Sequence, residues 1–90
     1  MNRIRIVLAD DHFVTRQGTR QVLDSQPDMD VVAEAADGKE TIRLARAVRP
    51  DLLVLDISMP HVNGIDVARE VRQTLPGTRI VVLTGYDNRQ

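Results

Sequence analysis

The chain has 90 residues, 12 basic and 13 acidic side chains and a formal charge of −1, so it is at most one small domain with no basic excess for gripping a nucleic acid backbone. Aromatic residues are 2% of the total (Phe13 and Tyr86), which excludes a base-stacking platform. Cysteine is absent, which excludes disulfides, thiolate nucleophiles and cysteine-based metal sites and fits a reducing, cytoplasmic setting.

Taken in chain order, short apolar runs alternate with helical stretches. Residues 4–9 form an apolar run bounded by Asp10-Asp11, too short for a signal peptide core or a membrane span. From about residue 12 to 25, Val14, Gly18 and Val22 recur every four residues with Leu23 beside them, and Gln26-Pro27-Asp28 stops the helix. Residues 31–36 form a second run, interrupted by Glu34. One side of this strand is therefore wetter, and it is expected near a sheet edge. Asp37-Gly38 opens a second helix whose Thr41, Leu44, Ala45 and Val48 make one stripe, with Lys39, Glu40, Arg43 and Arg46 off it and Arg49-Pro50-Asp51 at its end. Residues 52–55 are the third run. A third helix from about residue 64 to 75 turns Val67, Ala68, Val71 and Leu75 inward and stops at Pro76-Gly77. Residues 80–83 are the fourth run. Runs one, three and four are apolar on both parities, the signature of parallel strands covered by helices on both faces. The order β-α-β-α-β-α-β predicts an open α/β parallel sheet, all in one domain over residues 1–90.

In such sheets ligands bind beyond the carboxyl ends of the strands. The first run ends in Asp10-Asp11, the third in Asp56 and the fourth in Thr84. Taken singly, each has an ordinary explanation: Asp11 as a helix cap, Asp56 as a turn opener, Thr84 as a satisfied turn hydroxyl. Together they are harder to dismiss. Two carboxylates about 4 Å apart repel by about 4 kcal/mol at an effective dielectric of about 20. Protonation offsets that, and so does a divalent cation. Carboxylates and water are the ligands of Mg²⁺, which leaves positions open for a phosphate. Asp56 is then a candidate nucleophile that forms an aspartyl-phosphate. His12 and His61 flank this rim and are read as exposed polar residues, since imidazole is a poor ligand for Mg²⁺. Arg16 and Arg20, one turn apart, are read as a solvated face, as are Arg69 and Arg72 with Glu70.

The spacing from Asp10-Asp11 through Asp56-x-x-Met59-Pro60-x-x-x-Gly64 to Leu83-Thr84 resembles the CheY-like receiver domain of two-component response regulators. Ala9-Asp10-Asp11-His12 followed by Arg16 and Gly18, and Val31-Val32-Ala33-Glu34-Ala35 followed by Asp37-Gly38, resemble its NarL/FixJ-type transcriptional regulators. The resemblance implies that Asp56 accepts a phosphoryl group from a sensor histidine kinase. It also implies that Asp11 and Asp56 bind Mg²⁺ through their carboxylates, Ser58 through its backbone carbonyl and Asp10 through water. Thr84 is implied as the switch hydroxyl. Such a domain catalyses at most its own phosphorylation and dephosphorylation.

The family's fold continues for a helix, a fifth strand and a fifth helix, and its strand-five lysine and aromatic residue have no counterpart here; Lys39 and Tyr86 do not match them. The chain is therefore expected to be a receiver truncated after its fourth strand. DNA would be met only through a C-terminal output domain outside it, and the fourth strand would be a bare apolar edge prone to self-association. Two other readings compete. A degenerate receiver would bind partners without phosphoryl transfer. A hydrolase with an aspartate nucleophile would want an acid at position 58, where this chain has Ser58.

Overall fold

A computed structural model describes residues 3–56 and 64–83. Its elements, in order, are β1 (Ile4–Ala9), α1 (Phe13–Asp24), β2 (Met29–Ala35), α2 (Gly38–Val48), β3 (Leu52–Asp56), α3 (Gly64–Thr74) and β4 (Arg79–Leu83). The strands form one parallel sheet in the order β2-β1-β3-β4. The predicted open α/β architecture is what forms, and β2, the run broken by Glu34, lies at an edge.

The two faces are covered unequally. Val7, Ala9, Ala35, Leu53 and Leu55 point to the face where Ala45 of α2 and Val67 and Val71 of α3 are buried, with Leu75 behind them. The i, i+3, i+4, i+7 stripes of these two helices thus do what their spacing predicts. Ile6, Leu8, Val31 and Val54 point to the opposite face, where Leu23 of α1 packs.

Helix α1 departs from its reading. It has no buried residue, and the Val14–Gly18–Val22 stripe faces outward, with Val14 82% exposed and Val22 64%. The side toward the sheet carries Arg16, Gln17, Thr19, Arg20 and Leu23, all partly buried. Periodicity located the helix, but the apolar stripe is not the side it turns to the sheet. The reason lies in β2. Its register against β1 shifts between Ile6 and Val7: Ile6 pairs with Val31 but Val7 pairs with Ala33, so Val32 is passed over. An extra residue in one strand reverses the facing of everything after it. Ala33 and Ala35 turn toward α2, and Glu34, opposite Leu8, turns toward α1. The arginines of α1 follow that carboxylate.

The turns are built by recognisable local chemistry. Asp37 caps α2 with its Oδ1 accepting from the Glu40 amide at 2.8 Å, and Glu40 Oε1 accepts from the Ala36 amide, one residue before the cap, at 2.9 Å. Arg49 ends α2 in the left-handed region, φ 52°, donating its amide to Ala45 O. Glycine is the residue usually found in that conformation.

Candidate functional site

Parallel register builds the site. Ala9 lies opposite Leu55, so the next residues along the two strands, Asp10 and Asp56, leave the same rim of the sheet side by side. Asp10 and Asp56 are 4% and 5% exposed. Asp11 follows Asp10 into the turn before α1. One ligating atom from each of Asp10, Asp11, His12 and Asp56 lies within 4.8 Å of all the others. Residues 46 places apart in the chain thus meet because the strands that carry them are neighbours.

Within the pocket, Asp10 Oδ1 accepts from the His12 amide at 2.9 Å and meets His12 Nδ1 at 3.2 Å. This holds the turn that leads into α1. His12 Nδ1 is also 2.9 Å from Asp11 Oδ1 and 3.9 Å from Asp56 Oδ2. Asp11 Oδ1 is buried, and among the described residues its nearest polar neighbour is the His12 ring nitrogen, which stands between it and Asp10. Burial pushes the Asp10 carboxyl above its ordinary value, opposed by the His12 amide and reinforced by Asp56 beside it. The direction is that expected where like charges are gathered out of water.

A second group of polar contacts stands behind this one. Glu34 Oε1 accepts from Arg16 Nε at 2.7 Å and from Gln17 Nε2 at 2.7 Å, and its Oε2 accepts from Arg20 Nη1. Burial alone would raise Glu34, but the two arginines outweigh it and hold the carboxyl below its ordinary value. Arg16 also donates from Nη1 to the carbonyl of Asp10 at 2.7 Å.

A family model for the response regulator receiver domain matches residues 6–90. The chain belongs to that receiver family. Within it, the uncharacterized transcriptional regulatory protein YxjL of Bacillus subtilis is 42% identical over 89 residues, which are 99% of this chain and 41% of YxjL. The signal receiver domain of NarL from Mycobacterium tuberculosis superposes with a TM-score of 0.89 at 34% identity, covering 99% of this chain and 72% of that one. RcsB of Salmonella enterica serovar Typhimurium, solved on the promoter rprA with the phosphomimetic BeF3−, superposes at 0.86 with 29% identity over 97% of this chain and 45% of its own. The chain thus spans less than half the length of YxjL. It is a receiver domain of two-component response regulators of the NarL kind.

The receiver domain's residues divide as follows. Asp10, Asp11 and Asp56 are brought together. Ser58, Thr84 and His61 lie outside the described residues. His12 is exposed, as read, but its ring stands among the three carboxylates. Asp11 does not cap α1: the cap residue is His12, and it makes no side-chain capping bond. The solvated-face reading of Arg16 and Arg20 is overturned, since both reach Glu34 and the Arg16 side chain is 14% exposed. The sequence held a signal for this, an acid inside an apolar strand facing two arginines one helical turn apart, but the register shift that aims Glu34 left no mark in the pattern. Glu70, read as solvated, does accept from Arg46 Nη2 at 2.8 Å and ties α3 to α2 across exposed surface.

Proposed function

We propose that this receiver domain accepts a phosphoryl group on Asp56 from the phosphohistidine of a sensor histidine kinase, with Mg²⁺ bound by the acid pocket. The observation that carries this reading is the convergence of Asp10, Asp11 and Asp56 on the carboxyl rim of β1 and β3. Asp11 contributes a buried oxygen beside the exposed His12 ring. An all-oxygen donor set of carboxylates with room for water fits a hard divalent cation. Asp11 and Asp56 would hold it by their carboxylates, with the Ser58 carbonyl, and Asp10 through water. When bound, the cation neutralises charge on the phosphoryl oxygens.

The remaining chemistry belongs to the chain. A carboxylate oxygen of Asp56 attacks phosphorus in line with the phosphorus–nitrogen bond of the donor. That bond breaks as the new oxygen–phosphorus bond forms, and the imidazole leaves with the electron pair and takes up a proton. Thr84 is assigned the switch hydroxyl that reads the phosphorylated state. By analogy with RcsB, which was solved on promoter DNA, the protein to which this domain belongs would act on DNA through an output domain and work in the cytoplasm.

Labelling with acetyl phosphate, or loading with beryllofluoride, in the presence of Mg²⁺ tests the proposal. Incorporation that needs Mg²⁺ and disappears in Asp56→Ala is the expected result. Cation binding with no incorporation would instead make this chain a partner-binding module, and multiple turnover of a phosphate ester would make it a hydrolase.

A further inference from the structure

We propose that Arg16 is a positioning residue for the acid pocket: held by Glu34, it fixes the Asp10–Asp11 peptide and so sets where Asp11 presents its carboxylate to a divalent cation. The inference rests on the cation reading proposed above.

Arg16 uses two different nitrogens on two different elements. Nε donates to Glu34 Oε1 on β2 and Nη1 donates to the Asp10 carbonyl at the end of β1, both at 2.7 Å. The guanidinium fork is rigid, so one contact aims the other. The Asp10 amide donates to Ala35 O at 3.0 Å. Residue 10 is therefore tied to β2 through both of its peptide groups, directly through its amide and through Arg16 and Glu34 at its carbonyl. Because a peptide unit is planar, pinning that carbonyl pins the amide and Cα of Asp11 as well. Asp11 is the residue whose buried oxygen is approached, among the described residues, by the His12 ring alone, at 2.9 Å. The register shift at Val32 is what points Glu34 at this arrangement rather than at the opposite face.

A purely structural staple between α1 and β2 would be satisfied by Arg20 as well. Arg20 donates to the other oxygen of Glu34, to Asp24 and to the Val31 carbonyl, and none of these hydrogen bonds goes to Asp10. The two arginines therefore separate positioning from packing. Mg²⁺ titrations by calorimetry on the full chain, alongside urea unfolding without cation, make the comparison. Arg16→Ala is expected to weaken Mg²⁺ binding about tenfold, the usual scale for losing a residue that orients a ligand. Arg20→Ala should lower the urea midpoint comparably while changing Mg²⁺ affinity less than about twofold. Arg16→Lys, whose single ammonium cannot serve both acceptors in the same geometry, should fall between, and it carries the test if the alanine variant does not fold. In the absence of cation, the Asp11 amide resonance should shift in both Arg16 variants and stay in place in Arg20→Ala. Equal losses from the two arginines, or unchanged Mg²⁺ affinity in both Arg16 variants, would overturn the proposal. A wild-type chain that binds no Mg²⁺ would remove the cation reading itself and this inference with it.

Discussion

The acid pocket and the Glu34 group pull on stability in opposite directions at the level of single side chains. Asp10 has a folded value above its ordinary one, so the folded chain holds that proton more tightly than the unfolded chain does. Its contribution favours the fold at low pH and is lost as pH rises through the raised value. Glu34 has a folded value below its ordinary one. Its contribution is present above the ordinary carboxylate range and is lost as pH falls through the lowered value. Urea midpoints across pH should therefore show two opposed trends: Asp10→Asn removes the fall on the higher side, and Glu34→Gln removes the fall on the acid side. At neutral pH without divalent cations, Asp56→Asn should raise stability by roughly 1–3 kcal/mol by relieving the crowded carboxylates. The same variant should lose most of the rise in melting temperature that Mg²⁺ gives the wild type, because a ligand stabilises only through the state that binds it. A melting temperature insensitive to Mg²⁺ in the wild type would count against the cation reading. That these three acids meet was legible from their places after apolar runs. That His12 stands among them was not, because a ring at a helix start gives no sign of where it turns.

At the level of elements, helices α2 and α3 were readable from their stripes because each buries its apolar side against the sheet. Helix α1 was readable as a helix but not in its orientation. Apart from Leu23 its apolar residues lie outward, and its inward side is chosen by a charge on β2 that a register shift has turned toward it. A one-residue irregularity in a strand leaves no periodic trace, so sequence reasoning placed Arg16 and Arg20 in solvent. The ends of α2 give two clean tests. Asp37→Ala removes the cap and should cost about 1 kcal/mol. Arg49→Gly frees a left-handed residue from its Cβ strain, keeps the backbone contacts of Arg49, and should stabilise by roughly 0.5–1 kcal/mol. Chemical unfolding of the two single variants measures both, and a destabilised Arg49→Gly would mean that the arginine side chain contributes more than its backbone strain costs.

On the scale of the whole molecule, the two edges of the sheet differ. Edge strand β2 is guarded by α1 and its ion pairs. Strand β4 pairs with β3 on one side, and Val81, Val82 and Leu83 are 45%, 43% and 41% exposed. An apolar strand exposed in this way invites pairing with another chain. Sedimentation velocity on this 90-residue chain should show mass rising with concentration, and Val81→Lys should suppress the rise; a concentration-independent monomer would argue against association through β4.

Strand β1 opens the chain yet sits inside the sheet, between β2 and β3. Its pairing with β3 brings together residues as far apart as Arg5 and Asp51, 46 positions along the chain. Closing a loop of that span costs chain entropy that only the completed pairing returns. Until β3 docks, Asp56 has no acidic neighbours and the pocket does not exist. A half-assembled chain therefore does not yet hold the three carboxylates together, and the acid pocket arises only as β3 takes its place beside β1.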